Sequence, residues 1–238
     1  MSTPTFRIQR TPVPDEVYAP HVCLRRRGAR WGQVLRLSLG QALVAACTAV
    51  VEAPDRAVLR VEGAEVVIQT PPGLCVDPGS VDLRRAGGFL LVSDCALLAV
   101  DPVSAPVLNG VINVAVTNGG LDQDYAALET FLTGPGRAAL ARGAPSEAVQ
   151  VLRTRRSASS LALKVEDPGP APIPGAAPTF WRVFFMAGSR LTSATLTQFE
   201  GPGMSDVEAL GWLDALVRAT MAANAPPASA VTAAPGSG

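Results

Sequence analysis

A chain of 238 residues, 48% of them hydrophobic, is long enough for one large domain or two small ones and too apolar for gross disorder over most of its length. Twenty basic residues balance twenty acidic ones, so no global field draws the protein toward nucleic acid or an acidic substrate. The single histidine, His21, stands in a Pro- and Arg-rich leader, which excludes Ser-His-Asp and Cys-His nucleophiles and histidine-based zinc sites from the patterned region.

Residues 1–33 contain several prolines and the run Arg25-Arg26-Arg27 without hydrophobic periodicity, and are expected to form a disordered leader or to reflect a start codon placed too early. Basic residues between Arg25 and Arg36 then precede the apolar run Leu37–Ala46, the order of a secretory signal. Leu43-Val44-Ala45-Ala46-Cys47 is the small-residue approach to a cysteine on which lipoprotein signal peptidase and diacylglyceryl transferase act. Residues 34–53 therefore read as a lipoprotein signal and new N-terminus, with Cys47 as the lipidated residue and the lipid as the link to the membrane. Two other readings stand beside this one. Leu37–Val51 also suits an ordinary helix of a cytosolic protein, being shorter than the roughly 18 to 20 apolar residues of a membrane span. Ordinary signal peptidase would cut after Ala53, although Pro54 opposes that cut. A nucleic-acid arm at Arg25–Arg30 is disfavoured, and no nucleic-acid partner is expected.

Residues 54–224 read as one folded domain. Ala57–Val61, a Glu62-Gly63 turn and Glu65–Gln69 predict a β-hairpin, which Pro71-Pro72-Gly73 ends. Strands are expected at Phe89–Ser93 and Val111–Val116. Leu121, Tyr125, Leu128 and Leu132 fall at helical spacing, with Asp122 placed to cap and Gly134-Pro135-Gly136 to stop the helix. A short helical stretch over Arg137–Arg142 follows, and Val149–Arg156 with Leu161–Glu166 predict a second hairpin. Pro168–Pro178 is expected to be a surface loop, because prolines cannot donate ladder hydrogen bonds. Phe180–Met186 carries bulky residues on both faces and is placed centrally in the sheet, and Gly188 turns it into Arg190–Phe199. Ser205-Asp206-Val207-Glu208 is a capping box opening a helix whose stripe is Leu210, Leu213, Val217 and Met221. Residues 225–238, an Ala/Pro/Ser/Gly tail, are too poor in large apolar residues to pack.

These elements predict an α+β domain in which helices cover one face of a mostly antiparallel sheet. Their order from Thr70 onward, with the run Trp181-Arg182-Val183-Phe184-Phe185 and the closing helix to Met221, resembles the PsbP/Mog1/DcrB-like architecture. Cys75-Val76-Asp77-Pro78 is similar to an element of small alphaproteobacterial envelope proteins, a likeness that implies no activity.

Cys75 and Cys95 lie twenty apart beside two β-like runs, so a disulfide could clip neighbouring strands; otherwise they are two small buried hydrophobes. Asp77, Asp82, Asp94 and Asp101 could pair as acid and base, but Asp77-Pro78-Gly79 and Asp101-Pro102 are turn formers. Asp122-Gln123-Asp124 suits a helix start better than a metal site. Arg153 and Arg155, on one strand face, are the candidate binding residues for a phosphate or lipid headgroup, against the plainer role of a solvated or aggregation-resistant edge. No catalytic residue, metal or cofactor is expected. The function implied is a membrane-anchored periplasmic lipoprotein that binds or assembles with another envelope protein, the alternative being a cytosolic adaptor or chaperone-like module.

Overall fold

The computed structural model describes residues 54–82, 87–98, 108–142, 145, 147–201 and 203–226. Cys47, Asp101, the expected leader and signal, and residues 227–238 lie outside the described residues. Strands β1 (Arg56–Val61) and β2 (Ala64–Gln69) form the first hairpin, a two-stranded sheet of its own. Glu62 and Gly63 at its tip both have positive φ, 47° and 79°, the backbone that matches the right-handed twist of the flanking strands. Leu59, Val61, Val66 and Ile68 alternate inward and are buried.

The main sheet comprises β3 (Leu74–Asp82), β4 (Gly88–Asp94), β5 (Gly110–Val116), β6 (Gln150–Arg156), β7 (Ser160–Glu166), β8 (Ala176–Ala187) and β9 (Arg190–Phe199). Their spatial order is β3-β4-β5-β9-β8-β7-β6, and every neighbouring pair is antiparallel. With α1 (Cys95–Leu98), α2 (Tyr125–Thr133), a 3₁₀ helix (Pro135–Leu140) and α3 (Asp206–Ala223), this makes an α+β protein with a mostly antiparallel sheet.

The helices do not share one face, contrary to the sequence expectation. Trp181, Val183, Phe185 and Ala187 of β8 join the core beneath α3 and the β1–β2 hairpin, whereas Phe180 and Phe184 pack with Tyr125 and Leu132 of α2. An interior strand with large apolar residues at successive positions must bury both sides, and a helix on one face can satisfy only half of it. Strand β8 lies inside the sheet, between β9 and β7, while β9 holds the middle position.

Local chemistry moved several boundaries. Asp124, not Asp122, caps α2, its carboxylate accepting from the Ala127 N–H at 2.9 Å, and Leu121 precedes the helix. The stretch after Gly134 is a 3₁₀ helix with Pro135 in its first turn, and Gly136 leaves room for the Phe131 ring, which an added Cβ would meet at 2.2 Å. Strand β3 continues through Pro78 to Asp82 with a register shift, tolerated because β3 is an edge strand. The buried stripe of α3 is Ala209, Leu213, Leu216, Val217 and Thr220, rotated from the expected one, so that Leu210 and Met221 sit at its margin. The last residues of the expected loop, Ala176 to Pro178, belong to β8, with Ala176 buried.

Helix α3 also closes the open edge of β2. The Asn224 amide accepts from Val67 N–H at 2.9 Å and donates to Val67 C=O at 2.7 Å, as a neighbouring strand would. One turn earlier, the Thr220 hydroxyl meets Gln69 N–H at 3.3 Å and Gln69 C=O at 3.1 Å. Residues 67 and 69 point the same backbone groups outward, and a helical i, i+4 pair spans that repeat. Asn224→Ala is expected to destabilise the protein by about 2 kcal/mol, since two half-buried backbone groups lose their partner. Urea unfolding measures this, and a loss below about 0.5 kcal/mol would mean that water replaces the amide.

Candidate functional site

Arg153 and Arg155 stand on the terminal strand β6 and reach the face covered by α3. Arg153 Nη1 lies 3.4 Å from Asp206 Oδ2, and Arg155 forms an ion pair with Asp214. Arg156 points to the other face and pairs with Glu129 of α2, which also accepts from the Thr154 hydroxyl. The arginine group is thus divided between two helices, bracing both against one edge strand.

Asp206 is the centre of this brace. It sits in the first turn of α3, after the Ser205 cap with its Glu208 partner, where a negative charge complements the helix dipole. Its Oδ1 accepts from Lys164 Nζ at 2.7 Å and from Trp181 Nε1 at 3.0 Å. The Lys164 hydrogen bond holds the Asp206 carboxyl below the usual carboxylate range; burial opposes the shift, and Trp181 and the Arg153 charge reinforce it. Lys164 and Arg153 share this one carboxylate, and Arg153, the farther of the two, keeps 64% of its side chain exposed.

On the other face, at β8 and β9, lies a second polar group. Arg182 donates from Nε to Thr195 Oγ1 at 2.8 Å and from Nη1 to Ala139 C=O at 3.1 Å. Arg142, just after the 3₁₀ helix, donates to Thr197 Oγ1 at 3.3 Å and to the carbonyls of Ala177 and Pro178 at 3.0 and 3.2 Å. Both guanidiniums lie over the Phe180 ring, 4.1 Å away for Arg142 and 5.3 Å for Arg182. Asp167 accepts from the backbone N–H of Arg142 and, at 2.8 Å, from that of Gly169. The Pro-rich loop between β7 and β8 is tied at both ends: Asp167 N–H bonds Pro178 C=O at 3.0 Å and Glu200 N–H bonds Gly175 C=O at 2.7 Å.

Cys75 and Cys95 are joined, with sulfurs 2.03 Å and Cα atoms 4.9 Å apart, at the β3 edge beside a cleft of about 680 Å³ lined by Pro54, Thr70, Pro71 and Gly73. Of the carboxylates nearby, Asp77 and Asp94 are each engaged by backbone N–H groups. Asp77 closes its own turn, accepting from Gly79 N–H at 2.9 Å, and Asp94 accepts from Ala96 N–H at 2.8 Å and Leu108 N–H at 3.3 Å. Among the described residues no three His, Cys, Asp or Glu side chains gather as a metal-binding group.

Sequence reasoning missed Asp206 as more than a helix-start residue, and missed Arg142 and Arg182 altogether. One signal was present: Arg182 interrupts the most apolar strand of the chain, where a charge has to find partners. The chain matches no protein-family profile and no curated protein. Its class is set by architecture: an antiparallel α+β domain with a cystine at one sheet edge and an ion-paired arginine edge at the other.

Proposed function

We propose that the protein is a periplasmic lipoprotein, held to the membrane through a lipid on Cys47, whose α+β domain binds or scaffolds another envelope protein without catalysing a reaction. The Cys75–Cys95 disulfide is the observation that carries the reading, because such bonds persist in oxidising compartments outside the cytosol. The small-residue approach to Cys47 supplies the tether. The order of elements from Thr70 onward resembles the PsbP/Mog1/DcrB-like architecture, whose members commonly bind or scaffold other components. The Pro-rich loop, anchored at both ends on a rigid sheet, and the exposed Arg153 beside Arg155 are the contact surfaces this reading offers.

Intact mass measurement of the native protein tests the tether: the expected N-terminus is Cys47 bearing a diacylglyceryl group, and Cys47→Ala should release the protein from the membrane fraction. Protein still starting at or near Met1 would overturn it and favour the cytosolic adaptor. Deletion of residues 170–174, which spares the Gly169 and Gly175 anchors, tests the contact surface. It should leave the thermal unfolding midpoint within a few degrees, because β8 keeps its buried Ala176, yet abolish recovery of a partner crosslinked in membranes. An unchanged set of crosslinked partners would remove the loop from the reading.

A further inference from the structure

We propose that Arg142 and Arg182 form an anion-binding site on the α2 face of the main sheet, one that takes the carboxylate or phosphate group of a small ligand. The proposal stands apart from the envelope reading, since it depends on neither tether nor protein partner.

The register of the sheet brings the groups together. Arg182 on β8 lies opposite Thr195 on β9, and Phe180 opposite Thr197, so both threonines share one face under the two guanidiniums. Asn113 of β5 pairs with Thr195 from the far side and continues the polar row. Both threonine hydroxyls accept from a guanidinium, which leaves each O–H free to donate to an oxyanion.

The charges do not balance. Among the described residues neither guanidinium has a carboxylate within 4.0 Å, and the nearest acid, Asp167, is engaged by loop N–H groups. Burial lowers the pKa of both arginines; for Arg182, with the adjacent Arg142 charge added, it reaches about 10. A guanidinium keeps its charge at neutral pH, so two cations face the one carboxylate of Asp167, whose charge acts on both. Donors also remain unspent: Arg142 Nε is buried without a hydrogen bond, and no bond from Arg182 Nη2 is found among the described residues.

A purely mechanical role explains less. Tethering the 3₁₀ helix and the β8 entry needs donors to Ala139, Ala177 and Pro178 carbonyls, and neutral amides would supply those without placing like charges over one aromatic ring. The planar guanidinium, with donors in a fixed fork, matches an oxyanion rather than a halide. Helix α2 packs on β6 and β7, so the ligand would approach from the β5 side, past the half-buried Asn113.

The test is an NMR titration of the ¹⁵N-labelled protein with inorganic phosphate and, in a second arm, acetate, at ionic strength held constant with chloride. Arginine Nε–Hε signals are followed, assigned with Arg142→Gln and Arg182→Gln. Saturable shifts of both signals are expected, and the arm with the lower Kd identifies phosphate or carboxylate as the ligand group. Arg142→Gln should raise that Kd about tenfold or more. If Arg182→Gln does not fold, the remaining Arg142 assignment and the wild-type titration still decide. No saturable shift with either anion, or equal shifts at arginines elsewhere on the surface, would overturn the site.

Discussion

Trp181→Ala is expected to cost about 3 to 5 kcal/mol of folding free energy, the largest single-residue loss in this protein. The indole is 1% exposed and lies in the core shared by β4, β5, β8, β9 and α3, so truncation opens a cavity that a seven-stranded sheet cannot close by small shifts. Its Nε1–H also donates to Asp206, which ties the core to the charged brace above it. Trp181→Phe keeps most of the volume and removes that donor, and should cost about 1 to 3 kcal/mol. The acid limb of stability supplies a separate readout. Because the folded Asp206 carboxyl sits below its ordinary range, its contribution is complete above the unfolded pKa and fades as pH falls through the folded one. Asp206→Asn should therefore flatten the loss of stability below about pH 4 while lowering stability at neutral pH. Urea unfolding of the three variants from pH 2 to 7 measures all of this, and an Asp206→Asn protein as acid-sensitive as the wild type would show that the brace adds nothing.

The second large effect belongs to the cystine. The bond closes a loop with a sequence separation of 20, and chain entropy puts its contribution at roughly 3 kcal/mol. Its position makes the loss local as well as global. Strand β3 is an edge strand with β4 as its main-sheet neighbour and a register shift after Asp77, so the bond to Cys95, at the start of α1, fastens the one stretch, Leu74–Asp77, that pairs with β4 in regular register. The paired Cys75→Ala, Cys95→Ala variant should unfold about 3 kcal/mol more easily and lose amide protection in β3 before it does so in β8 or β9. Alkylation before and after reduction, on protein taken from its native compartment, reports the state of the bond. Two free thiols there would place the domain in a reducing compartment and weaken the envelope reading.

Much of the architecture was legible because it is local. Apolar runs on either side of the Glu62-Gly63 turn marked β1 and β2, period-two alternation marked β7, Gly188 marked the β8–β9 turn, and the Ser205–Glu208 box marked the start of α3, each a matter of a few neighbouring residues and backbone geometry. Where the hydrophobic signal was broad rather than periodic, it misled in a definite way. Phe180–Met186 is apolar on both faces, but the consequence, that α2 and α3 must lie on opposite sides, follows only when the strand is given neighbours. The α2 cap shifted from Asp122 to Asp124 for a similar reason: both residues suit a helix start, and the packing of Tyr125 and Leu132 selects the register.

The polar sites were the least legible. The sequence alone determined that Arg153 and Arg155 share a strand face and that Arg182 breaks an apolar run, since both follow from the two-residue repeat of a strand. Only the tertiary structure decided that Arg153 and Lys164 meet on Asp206, that Arg155 meets Asp214, and that Arg142 joins Arg182 over Phe180. These partners lie between 40 and 59 residues apart along the chain. A side chain's own sequence fixes which way it points along its strand or helix, whereas its charge partner is set by which distant segment the antiparallel register and the helix packing bring within a few ångströms.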